Sequence, residues 1–71
     1  MPKLDMLQEL HLRTQLQFFI QQHRDLDMAI VSLEQTGTSD QLQLRRLKKM
    51  KLDIKDKIQR IEAMLILDII A

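Results

Sequence analysis

Seventy-one residues, with no cysteine, one glycine, one proline and eleven basic against ten acidic side chains, allow one domain at most. They exclude disulfides and thiolate-ligated metal, and a net charge of +1 gives no chain-wide attraction to polyanions. A chain this short buries only about 60% of its unfolded surface, so a monomeric core is marginal and a staple or a second chain is expected.

Residues 1–20 are interrupted by Lys3, Asp5, Glu9, His11 and Arg13, which leaves no continuous apolar run of the kind a secretory leader carries. The longest apolar stretch, Ala63 to Ile70, is broken by Asp68 and falls far short of the roughly 20 residues of a membrane span. A cytoplasmic location is therefore expected. Pro2 fits only at or before a helix start. The sequence beyond it is rich in Leu, Gln and Lys and free of Gly and Pro up to Gly37, which predicts a first helix over about residues 4–35.

The next strong punctuation is Thr36-Gly37-Thr38-Ser39-Asp40. Gly37 suits the left-handed position that ends a helix. Thr38, Ser39 or Asp40 can cap the following one, and Thr38 with Gln41 has capping-box spacing. A turn over 36–39 and a second helix over about 40–69 follow, each helix roughly 45 Å long.

Both segments carry a heptad seam. Leu12, Leu16, Phe19, His23, Leu26, Ile30 and Leu33 alternate four and three apart, and so do Leu44, Leu47, Lys51, Ile54, Ile58, Ile61 and Leu65. The short connection makes the helices antiparallel. Pairing positions whose numbers add to about 77 sets Leu33 on Leu44, Ile30 on Leu47, Leu26 on Lys51, His23 on Ile54, Phe19 on Ile58, Leu16 on Ile61 and Leu12 on Leu65. The expected fold is all-α, an antiparallel, coiled-coil-like two-helix hairpin. A parallel dimer of longer bent helices is the competing fold, and the Thr-Gly-Thr-Ser-Asp cluster opposes it. A third helix, split off near residues 10–12, is suggested only by the phase change at Leu4, Leu7 and Leu10.

Apolar residues exceed what two helices can cover at the open end. Leu4, Met6, Leu7, Leu10 and Phe18 lie beside the first seam, and Met64, Ile66, Leu67, Ile69 and Ile70 surround Leu65. A contiguous patch of this kind usually marks an interface. Association through Leu4, Leu7, Leu10, Met64, Ile66, Leu67, Ile69 and Ile70 is expected, most simply a homodimer forming a four-helix arrangement, or else contact with another protein. The bland alternative is that these ends fold over locally or fray.

Charge divides between the helices. Residues 1–40 hold three basic and six acidic side chains, a net of −3; residues 41–71 hold eight basic and four acidic, a net of +4. This complementarity favours the antiparallel hairpin over pairing of the second helix with its own copy. The basic run supplies a candidate face of Arg45, Arg46, Lys48, Lys49 and Lys55 for nucleic acid or acidic lipid. A solvated, partly neutralised face is the better reading, because no aromatic lies among these residues to stack on bases.

Lys51 interrupts an apolar seam. Asp27, with His23 nearby, is the candidate partner that would fix the helix register, much as a single polar seam residue does in coiled coils. The alternative is that Lys51 lays its stem along the seam and sets its head in water. His11 and His23 are twelve apart, the wrong spacing for a helical metal site. No Gly-rich phosphate loop and no nucleophile–base pair is present. The expectation is a non-enzymatic protein without cofactor or metal.

Two runs resemble a known family. His23-Arg24-Asp25-Leu26-Asp27, with Ile30 and Leu33-Glu34, is similar to the first-helix signature of the YdcH-like proteins, a group of small bacterial proteins of unknown function. The run from Leu47 through Lys48, Lys49, Lys51, Asp53-Ile54 and Lys55-Asp56 to Ile58 resembles that family's second-helix signature, with Ile54 where Leu is common. The matches span roughly residues 20–62. The resemblance implies a helical hairpin in a bacterial cytoplasm and carries over no catalytic or ligand residue. Together the readings point to a self-associating protein-interaction module. An accessory nucleic-acid-binding protein is the alternative, and a peripheral membrane contact through Met64 to Ile70 a weaker third.

Overall fold

The computed structural model describes the backbone of residues 4–37 and 40–70, and side chains within these up to Leu67. Two helices, α1 (Met6–Gln35) and α2 (Gln41–Ile70), form an antiparallel hairpin measuring 50 × 16 × 14 Å. No helix among the described residues is long and apolar enough to cross a membrane.

The start of α1 is set by a capping box. Gln8 N donates to Asp5 Oδ1 at 2.7 Å, and Asp5 N donates back to Gln8 Oε1 at 3.0 Å. Two otherwise orphaned amides are satisfied together. The helix then runs unbroken through residues 10–12, so the phase change of Leu4, Leu7 and Leu10 does not mark a third helix. Leu7 and Leu10 simply point to solvent.

At the other end Thr36 N donates to Ser32 O, and Thr36 Oγ1 donates to Leu33 O, both at 3.1 Å. Gly37 follows with φ of +69°, a left-handed conformation that strains any L side chain. Asp40 caps α2, its Oδ1 accepting from Gln43 N at 3.0 Å. The other cap candidates, Thr38 and Ser39, lie outside the described residues.

The interface between the helices is the heptad seam. All five buried apolar residues among those described, Ile30, Leu44, Ile54, Ile61 and Leu65, are seam positions, and the other nine seam residues are half-buried. Two contacts across the hairpin report its register. Lys51 Nζ reaches Asp27 Oδ1 at 2.6 Å, and Lys57 Nζ lies 5.5 Å from the centre of the Phe19 ring. Their residue numbers add to 78 and 76, either side of the 77 expected from aligning the seams.

The core is thin. Even the best-covered side chains, Ile30 and Ile61, retain 5% exposure, because a two-helix seam has solvent on both flanks.

Candidate functional site

The seam leaves a groove along one side of the hairpin. It is an open trough of about 700 Å³, with Ile30 and Ile58 among its lining residues. From α1 it is bordered by Asp27, Val31 and Glu34; from α2, by Lys48, Leu52 and Lys55. The α1 rim is therefore acidic, and the α2 rim is basic apart from Glu62 toward the open end. The division follows from the charge segregation of the two helices and from heptad geometry, which sets Asp27, Glu34, Lys48 and Lys55 on the same flank of their seams.

Lys51 and His23 also line this groove. Lys51 donates to Asp27 across the helices, with side chains 34% and 53% exposed respectively. Lys51 therefore lays its stem along the seam and delivers its head to a carboxylate at the groove edge, a geometry that joins the two arrangements open in the sequence. The Lys51 hydrogen bond and charge hold the Asp27 carboxyl below its ordinary 3.8; slight desolvation acts against them, and His23 adds a smaller lowering. Glu34, Lys48 and Lys55 make no ion pair among the described residues. The other two pairs, Arg13–Glu9 at 2.9 Å and Arg60–Asp56 at 3.0 Å, lie within single helices.

The candidate interface residues divide. Leu7, Leu10, Met64, Ile66 and Leu67 are 43–77% exposed, and Met6 beside them reaches 83%. Leu4 is half-buried, while the Ile69 and Ile70 side chains lie outside the described residues. Exposed apolar surface is not confined to the open end. Met28, Val31, Leu42, Met50 and Leu52 also face solvent at 46–70%. These five occupy positions off the seam, and counting surplus only beside the chain ends overlooks them.

The candidate basic residues Arg45, Arg46, Lys48, Lys49 and Lys55 are all exposed. At 3.6 residues per turn they spread over roughly half the circumference of α2, so they do not form one narrow stripe. No group of three His, Asp or Glu side chains among the described residues converges as a metal site would require.

Sequence reasoning missed two features. The Asp5–Gln8 capping box was legible as an Asp followed three residues later by Gln. The cation–π contact of Lys57 on Phe19 depends on which flank of the seam Lys57 occupies, which residue spacing alone does not reveal.

No curated protein and no solved structure matches the chain. A family described as "Protein of unknown function (DUF465)" matches residues 19–62. That span holds both signature runs, the turn and the whole charged groove. The chain belongs to this family, the YdcH-like small helical proteins.

Proposed function

We propose that the hairpin is a non-enzymatic protein-interaction module that works as a self-associated unit, with the apolar open end as part of its contact surface. One observation carries this reading. The isolated hairpin exposes 5845 Å², whereas a compact protein of its 8.5 kDa mass exposes about 4,650 Å². The excess of about 1,200 Å² exceeds the roughly 800 Å² that each partner contributes to a standard interface. The exposed surface includes the large apolar side chains of Met6, Leu7, Leu10, Met64, Ile66 and Leu67, which water hydrates unfavourably. A second hairpin packed against this end would cover part of that surface and complete a four-helix core.

Sedimentation equilibrium across a wide concentration range tests the proposal. The expected result is a species of twice the chain mass. The double variant Leu10→Glu/Ile66→Glu should keep its helical circular dichroism while its dimer dissociation constant rises by at least about tenfold. A chain that stays monomeric at every concentration would overturn the reading. If such a monomer also retained nucleic acid at low salt and released it steeply as salt rose, the exposed basic residues of α2 would be the working surface instead.

A further inference from the structure

From the charge pattern of the groove we infer how the second copy sits: the two hairpins stack groove to groove about a twofold axis parallel to their long axes. This rests on the self-association proposed above and adds its symmetry. Two hairpins laid face to face can be related by a dyad along their length or by one across it. A dyad across the length sets α1 on the partner's α1 and α2 on its α2. Centred so that the hairpins overlap along their length, it lays each turn half over the partner's open half, and so sets Glu34 and Lys48 over its apolar end. Charged groups set against apolar surface oppose that contact.

A dyad along the length sets α1 on the partner's α2. Each acidic rim then lies over a basic one, twice per dimer, as an isologous interface demands. The pairing is level as well as complementary. In the observed register, Lys48 lies at a height between Asp27 and Glu34, so the partner's basic rim falls opposite the acidic one without sliding the hairpins. Asp27 is already engaged by Lys51 of its own chain. Glu34 and Lys48, which make no ion pair among the described residues of the hairpin, gain their partners between chains.

The apolar residues agree with this choice. Val31 and Leu52, 46% and 66% exposed, lie in the groove. Met6, Leu10 and Ile66 continue the same flank toward the open end, at 83%, 60% and 54% exposure. Only the lengthwise dyad places both open ends together, so that Met6 and Leu10 of one chain meet Ile66 of the other. The crosswise dyad would lay them against the charged turn half of the partner.

The chain has no cysteine, so one nitroxide can be placed cleanly at Gln35→Cys, next to the turn and off the groove. Pulsed electron paramagnetic resonance then reads the distance between the two turns of a dimer. With helices packed about 10 Å apart, the lengthwise dyad gives roughly 25–35 Å including the labels, whereas the crosswise dyad separates the turns by nearly the 50 Å length of the hairpin. As a second arm, Glu34→Lys and Lys48→Glu chains are each expected to dimerise more weakly alone and to recover when mixed, since both intermolecular pairs are opposite in sign only in the mixed dimer. A dimer with the long distance, or one whose mixture shows no recovery, overturns the lengthwise arrangement and leaves self-association standing. A chain that never dimerises overturns both.

Discussion

The half of the hairpin next to the turn and the half at its open end share one apolar seam but differ in what supplements it. Thirteen of the twenty-one charged residues fall in the turn half, between Arg24 and Asp56, and the cross-helix ion pair Asp27–Lys51 lies there. The open half has eight charges and depends on Ile61 and Leu65, which are 5% and 7% exposed. Next to the turn, chain connectivity holds the helices close, and a short loop costs little closure entropy. A polar layer is tolerable there. Some thirty residues from the turn, connectivity contributes little, and apolar burial must keep the helices together. The half least helped by the turn is thus also the half with the most apolar surface to offer a partner.

The largest expected effect tests that contrast directly. Ile30 and Ile61 are equally buried, at 5% exposure each. Truncation to alanine removes the same atoms and costs about 2–4 kcal/mol in either place if burial alone decides. That is a large share of what a chain this short holds. If the halves differ as argued, Ile61→Ala also opens the far end locally, and amide exchange speeds up in residues 6–16 and 58–67 before the turn half is affected. Ile30→Ala, flanked by the turn, lowers global stability without such a gradient. Identical exchange patterns in the two variants would remove the distinction between the halves.

A smaller effect isolates the turn. A methyl group on Gly37 meets no atom within 4 Å, so Gly37→Ala adds no clash. Its whole cost is the strain of an L residue at φ +69°, about 1 kcal/mol. Gly37→Asn should cost less, because asparagine tolerates that region better. Chemical denaturation reads both. Equal stability of all three chains would show that the turn is not what holds the near half together.

Most of this architecture was legible in the sequence because heptad spacing and Gly37 report backbone geometry directly. Every buried residue among those described is one of the fourteen seam positions, and the register follows from aligning the two seams around one turn. The start of α1 was less legible. Leu4 and Leu7 continue the apolar content upstream and hide the fact that Asp5 with Gln8 closes the helix. The groove was legible only in part. Its charges follow from the opposite signs of the two helices, but the exposure of Val31 and Leu52 depends on how little a lone pair of helices covers beside its seam. That is a property of the missing layer, which a sequence does not state.

The smallest expected effect concerns the polar layer of the turn half. The carboxyl of Asp27 is held below its ordinary value chiefly by Lys51. A carboxylate with a lowered folded pKa contributes stability above its unfolded value and loses it as pH falls through the folded one. The hairpin should therefore weaken on acidification below about pH 4, and Asp27→Asn should remove that part of the acid sensitivity while changing neutral stability only slightly. Both groups of the pair are substantially exposed, so solvent screens the attraction and the change is small. Lys51→Leu separates stability from specificity. An apolar residue at this seam position should raise the thermal midpoint. If the ion pair also fixes which residues face each other, the same substitution should permit a shifted register, seen as new long-range contacts in nuclear magnetic resonance spectra. A Lys51→Leu chain that is more stable, keeps the Lys57–Phe19 contact and associates as before would show that the seam alone sets the register and that the pair only keeps a lysine soluble in an oily stripe.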